Sequence, residues 1–235
     1  MLYKRHCSIN EEKMIRIAIV DYGMGNLFSI SNACKCVGFT PFITNSIRDI
    51  MKSDAIILPG VGAFGDAMKS MIKLDLVSPI IDYAASGKFI FGICLGMQLL
   101  MTESSEFGRH KGLGIIEGFV EIFNFSDSSQ NEYIKIPHIG WTGIKYKIND
   151  SPEIWDNTPL NNVKNGTYMY FVHSYYVKPD NEKDILSISS YGNTIFCSSI
   201  KRNNIFGCQF HPERSAENGI LVYKNLISII KNNII

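Results

Sequence analysis

The chain has 235 residues, 46% of them hydrophobic and 19% charged, and its 23 basic and 22 acidic side chains leave a formal net charge of +1. This length suits one α/β domain or at most two small ones, and the composition is too apolar for a disordered chain. The near-neutral balance excludes a broad electrostatic footprint for nucleic acid or an anionic membrane.

Residues 1–13, MLYKRHCSINEEK, are charged and lack an apolar core, so they do not read as a signal peptide. They read as an arm before the fold, or as a mis-assigned start with Met14 as the true one; the domain proper is expected over 14–235. Ile15 to Val20 is β-branched and mostly apolar, as a strand buried on both faces requires. Asp21-Tyr-Gly-Met-Gly-Asn26 is a turn, and Leu27, Ile30, Cys34 and Val37 then recur at helical spacing. Ala55 to Leu58 is a second strand, ended by Pro59-Gly-Val-Gly62, and a helical stretch is expected over roughly 66–86. Phe89 to Ile93 is a further buried strand, followed by a sharp turn and a short helix over Met97 to Met101. The apolar run Phe89 to Met101, broken by Gln98 and two glycines, is too short to span a bilayer. This alternation predicts a doubly wound, mostly parallel sheet of α/β class.

The second half changes character. Ile115–Phe123, Ile139–Lys147, Tyr168–Val177, Ile185–Tyr191, Thr194–Ser199 and Ile205–Phe210 read as strands, with a hairpin signal at Gly192-Asn193. They are expected to extend the same sheet in antiparallel fashion. Ser126 to Asn131 and Asn149 to Asn165 read as polar loops. A final helix places Val222, Leu226, Ile229 and Ile230 on one face.

Six cysteines, at 7, 34, 36, 94, 197 and 208, form no C-x-x-C pair, and without a secretory signal they point to a reducing cytoplasm. One of them stands out. Gly92-Ile-Cys94-Leu-Gly96 lies at a strand-to-helix junction and matches G-x-C-x-G, the cysteine analogue of the nucleophile elbow. Flanking glycines let the backbone pass through a tight turn. A helix starting at the cysteine favours thiolate, and the Leu95 N–H points to where an oxyanion would form. Alone, such a cysteine is as often a core residue. His211-Pro-Glu213 follows the strand Ile205–Phe210, and Pro212 keeps it extended, so Glu213 can steer one imidazole nitrogen while the other faces a nucleophile. Pro59-Gly60-Val61-Gly62 after a strand can present a second oxyanion donor. Gly23-Met-Gly25 is not a dinucleotide fingerprint, because the third glycine position holds Phe28. Cys34 and Cys36 share a helical stretch, with Cys34 on its core side; Cys197 and Cys208 are expected to be buried, and His6 and His110 solvated. No metal and no cofactor are expected. His138 reads as a loop residue, either a partner contact or structural.

Gly92 to Gln98, Pro59 to Gly62 and Gln209-Phe-His-Pro-Glu213 resemble the class I (triad-type) glutamine amidotransferases, with a flavodoxin-like core. Val20 to Asn26, Ile136-Pro-His-Ile-Gly-Trp141 and Tyr170 to Tyr176 narrow the resemblance to the glutaminase subunits of imidazole glycerol phosphate synthase. The match covers about residues 14–232. It implies Cys94 as nucleophile, His211 as general base and acid and Glu213 as orienting carboxylate. It further implies Gly60, Val61, Gly62 and Leu95 as the oxyanion hole, and Gln98, His173, Ser174 and Tyr175 as the glutamine cradle. Asn26 and Trp141 would face a synthase/cyclase partner of (β/α)₈-barrel type, which would receive the ammonia for histidine biosynthesis. Two positions depart from the family pattern: Thr142 stands where asparagine is usual, and Arg214 where lysine is usual. Both fall toward the expected partner face, which leaves open a paralogue supplying ammonia to a surface-sugar amination or amidination enzyme.

Overall fold

The computed structural model describes residues 14–124, 134–147 and 150–234. The expected arm over 1–13, with His6 and Cys7, lies outside the described residues, as do Ser126 to Asn131 and Asn149. In the first half, strands β1 (Arg16–Val20), β2 (Thr40–Thr44), β3 (Ala55–Leu58) and β4 (Phe89–Ile93) alternate with helices α1 (Leu27–Cys36), α2 (Ile47–Lys52), α3 (Phe64–Lys73), α4 (Val77–Ala85) and α5 (Leu95–Leu99). The second half carries β5 (Glu103–Ser104), β6 (His110–Lys111), β7 (Gly118–Ile122), β8 (His138–Gly143), β9 (Tyr168–His173), β10 (Tyr175–Pro179), β11 (Ile185–Tyr191), β12 (Thr194–Arg202), β13 (Ile205–Cys208) and α6 (Ala216–Ile234).

Among the described residues the main sheet runs in the order β11-β12-β13-β4-β3-β1-β2. The five strands from β13 to β2 are mutually parallel, while β12 and β11 add on antiparallel. Strict alternation along the buried strands separates two cores. Ile17, Ile19, Ala55, Ile57, Phe91 and Ile93 face the side covered by α1 and α6. Ala18, Val20, Ile56, Leu58 and Ile90 face the side covered by α2 to α5. Burying both faces is why these strands read as continuous apolar runs. Helix α6 inserts Val222, Tyr223, Leu226, Ile227 and Ile230 into the first core, each fully buried aliphatic contributing roughly 1.5–3 kcal/mol.

The structure corrects several expectations. The stretch 66–86 is two helices. Leu74 closes α3, Asp75 takes a left-handed φ of 54°, and Pro79 then falls in the first turn of α4, where its missing N–H costs nothing. The helix after the elbow starts at Leu95 rather than Met97. β2 and α2 were not legible: β2 is an edge strand whose Pro41 is tolerated there, and α2 has one turn and a half, capped by Ser46. Only β11, β12 and β13 join the main sheet. β10-β7-β5-β6 form a second sheet, and β8-β9 a separate hairpin. The run Tyr168–Val177 therefore breaks at Ser174, where the chain leaves β8 and pairs with β7 instead.

Candidate active site

The elbow forms as its sequence demands. β4, the central strand, delivers Cys94 at its C-terminal end, where the Cys94 N–H donates to Cys208 O at 2.7 Å, extending the β4–β13 ladder by one step. Cys94 then turns with φ 54° and ψ −110°, outside the allowed regions for a residue with a side chain. Such a backbone costs on the order of 1–3 kcal/mol and persists only where the surroundings enforce it. Here the enforcement is steric. A Cβ on Gly96 would lie 1.8 Å from Leu58 O, so only glycine lets α5 start directly against β3. The Met97 and Gln98 amides donate to Cys94 O, at 3.0 and 3.2 Å. The amide of Leu95, the first helical residue, has no intrahelical partner by construction.

The loop after β3 packs onto this turn. A Cβ on Gly60 would lie 2.7 Å from Leu95 Cβ and 3.0 Å from Gly96 N. The hydroxyl of fully buried Tyr22 donates to Pro59 O and ties the loop to the end of β1.

His211 arrives from the other side, past the end of β13, with its N–H donating to Tyr170 O at 2.9 Å. Its ring is buried. Nδ1 pairs with Glu213 Oε1 at 2.8 Å, and both side chains are almost wholly out of water. Nε2 has no conventional hydrogen-bond partner, and Cys94 is the neighbour whose charge acts on it. Burial alone drives the proton off this ring; the charge of Cys94, and then the hydrogen bond and charge of Glu213, outweigh that, and the imidazolium is pushed up to about 10. The sulfur lies 3.8 Å from Val172 O and receives the Gln209 side-chain N–H at 3.4 Å.

A cavity of about 240 Å³ opens over the sulfur. Its walls bring together Val61, Gly62, Cys94, Leu95, Gln98, His173, Ser174 and Tyr175 from the sequence reading. Gly60 lies behind the wall rather than on it, fully buried as packing for the elbow. His138 is a buried residue of β8, not a loop residue: its Nδ1 meets His173 Nε2 at 3.1 Å and its Nε2 meets Thr142 Oγ1 at 2.8 Å. Burial lowers both rings, His138 to about 4 and His173 to about 3, so both are neutral at pH 7. Asn26 caps α1 at the surface, and Trp141 is 50% exposed. Among the described residues no cluster of side chains suits a metal ion.

The family model for class-I glutamine amidotransferases matches residues 18–226. The chain belongs to that family. The class-I amidotransferase relatives include the "Imidazole glycerol phosphate synthase subunit HisH" of Aquifex aeolicus, 43% identical over 90% of this chain and 95% of that protein. The subunit HisH of Syntrophotalea carbinolica is 41% identical over 89% of this chain and 98% of that protein. At this level of identity and coverage the chain is of the HisH kind. A solved structure titled "Structure of PurLQS from Thermotoga maritima" superposes with a TM-score of 0.67 at 20% identity, covering 92% of this chain and 99% of that one, and supports the fold alone.

Sequence reasoning missed three cavity residues of this class-I amidotransferase: Glu106, Pro137 and Val172. Glu106 is the informative one. Its Oε2 accepts from Phe64 N at 2.6 Å, and burial raises its carboxyl above the ordinary range. It sits in a turn between two-residue strands, with no motif around it, and only the packing of that turn on the start of α3 brings it to the site. His110, expected to be solvated, instead packs its ring against Gly65. Cys34, Cys197 and Cys208 are buried as expected, and Cys36 is exposed. Of the two departures, Thr142 bonds His138, and the Arg214 guanidinium lies 4.5 Å over the Tyr170 ring, which meets Trp141 edge-on.

Proposed function

We propose that this chain is the glutaminase subunit of an imidazole glycerol phosphate synthase, hydrolysing glutamine to glutamate and ammonia for histidine biosynthesis. The observation that carries the reading is the His211 ring, held by Glu213 Oε1 at 2.8 Å and set beside Cys94, whose sulfur faces a cavity of about 240 Å³. In this reading the Cys94 sulfur attacks the side-chain carboxamide carbon of glutamine. The oxyanion takes hydrogen bonds from Leu95 N–H and from the Gly60–Gly62 loop, each such donor worth roughly 3–4 kcal/mol of barrier. His211 gives its proton to the departing amine, the C–N bond breaks, and ammonia leaves. The neutral ring then takes a proton from water as the water oxygen attacks the thioester carbon, and glutamate and the thiolate separate.

The cradle suits an α-amino acid. Both N–H groups of Gln98 are committed, one to Tyr175 O at 2.9 Å and one to Gln209 Oε1 at 3.1 Å. What Gln98 has left is its acceptor oxygen, which together with the Glu106 carboxylate suits an α-ammonium group. The amides of the His173–Tyr175 segment suit the carboxylate end.

Ammonia released into neutral water becomes ammonium, which is no nucleophile, so this chemistry needs a protected route into a second active site. We assign the receiving site to a (β/α)₈-barrel synthase subunit docked on the face that carries Asn26 and exposed Ile139, Trp141 and Tyr168. Waste of glutamine is avoided if the oxyanion loop is aligned only when that partner binds. The test is ammonia release from glutamine, with and without the synthase subunit. The expected result is strong stimulation by the partner and none with Cys94→Ala. Unchanged hydrolysis in Cys94→Ala overturns the reading; stimulation by a sugar-amidating enzyme instead selects the paralogue.

A further inference from the structure

Tyr175 O sets the direction of a chain of side-chain hydrogen bonds along one wall of the cavity. A carbonyl oxygen only accepts. It is met by Gln98 Nε2 at 2.9 Å and by His173 Nδ1 at 2.9 Å, so the Gln98 amide nitrogen faces it and the His173 proton sits on Nδ1. Two consequences run outward. His173 Nε2 is an acceptor, His138 Nδ1 donates to it, and the Thr142 hydroxyl donates to His138 Nε2. In the other direction, the second N–H of Gln98 donates to Gln209 Oε1, which turns the Gln209 nitrogen toward Cys94. The Gln209 amide therefore has one possible orientation, with its N–H directed at the sulfur at 3.4 Å.

Gln209 is fully buried, with its backbone N–H donating to Ser198 O at 2.9 Å. No water competes for its amide. We propose that Gln209 is a positioning residue for the nucleophile: its side-chain N–H stabilises the Cys94 thiolate and holds it over the cavity, while its oxygen holds Gln98. The inference rests on the reading of Cys94 as the nucleophile and adds to it a side-chain hydrogen-bond donor on the sulfur. A hydrogen bond to the charged form of a group favours that form. The Gln209 donor thus works in the free enzyme and again when the thioester breaks and the thiolate leaves.

The test is the pH profile of Cys94 alkylation by iodoacetamide in the free chain, which needs neither glutamine nor partner and so is read independently of glutamine turnover. Gln209→Met removes the donor at similar size. Its acid limb is expected to move to higher pH by about one unit, the tenfold change that follows from losing one hydrogen bond to an ionised group. Gln209→Glu keeps an acceptor for Gln98 but sets a carboxylate against the sulfur, and is expected to move the limb further. A role confined to Gln98 would raise KM for glutamine in Gln209→Met and leave both alkylation profiles in place; that result overturns the proposal. A measurement on the unmutated residue guards against misfolding of the variants. In protein labelled with ¹⁵N at glutamine side chains, the Gln209 amide proton resonance should move when Cys94 is alkylated, and an unmoved resonance overturns the proposal equally.

Discussion

The two walls of the cavity are built on different principles. The elbow wall comes from neighbours in sequence: β4, Cys94 and α5 follow one another, and the strained turn is enforced by glycines meeting β3. The facing wall, His173 to Tyr175, is held by residues far from it in the chain. It lies where one strand pairing ends and another begins, and its shape depends on His138, Gln98 and Phe123, whose N–H donates to Ser174 O. The first wall is held by sterics and the second by a directed hydrogen-bond network, so they should fail differently.

The largest expected effect is on the steric wall. Gly96→Ala places a methyl group where Leu58 O already stands, and neither β3 nor α5 has room to retreat. We expect about 3 kcal/mol of destabilisation and a fall in Tm of roughly 10 °C, measured by thermal unfolding, with no soluble active enzyme as the extreme. A Tm unchanged to within a degree would show that the elbow is softer than its contacts imply.

Glu213→Gln comes next. It removes the carboxylate that fixes the His211 ring and helps keep its proton on. Ammonia release should fall on the order of 10²-fold with the fold intact. The sign of the pH effect follows from the raised ring. In the wild type the proton is lost as pH rises through about 10, and activity that needs the acid falls there. The same linkage gives the ion pair a stabilising contribution that is complete below the ring's unfolded value and lost through about 10. With Glu213 neutralised both falls should move to lower pH, and a profile that stays in place would detach Glu213 from the proton.

The contrast between the walls also decides what the sequence reveals. Cys94, His211 and Glu213, which the fold brings together, stand out as candidates because each sits in a short local pattern of adjacent residues. The parallel core was legible because strands buried on both faces leave continuous apolar runs. Glu106 and Gln209 were not assigned roles, because their meaning comes from partners across the chain: Phe64 for one, Cys94 and Gln98 for the other. The break at Ser174 was hidden for a related reason. Both strands are apolar on alternate positions, and nothing local marks the exchange of one partner strand for another.

The network wall should reveal itself in acid. His138 and His173 are held neutral by burial, to about 4 and about 3, so the unfolded chain binds protons that the folded chain refuses. Stability is then complete above the ordinary histidine range and falls as pH drops toward 4, by at most about 1.4 kcal/mol per pH unit for each ring. Urea unfolding at pH 7 and pH 5 should show this loss, and His138→Gln should make it shallower. Equal slopes would mean that the His138 ring is wetter than its burial indicates.

The smallest expected effect lies at the outer end of that network. Thr142 is half-buried, and its hydroxyl supplies the proton that His138 Nε2 accepts. Thr142→Val keeps the shape and deletes the donor, which should cost about 1 kcal/mol and raise KM for glutamine by about twofold through the loosened His173 segment. Thr142→Asn should be close to neutral, because an asparagine amide also carries an N–H to offer the same nitrogen. That equivalence gives the unusual threonine a physical reading: what the position requires is a donor toward His138, and either residue supplies one. If valine performs as well as threonine in both measurements, the directed chain stops at His138 and the identity of residue 142 belongs to the surface alone.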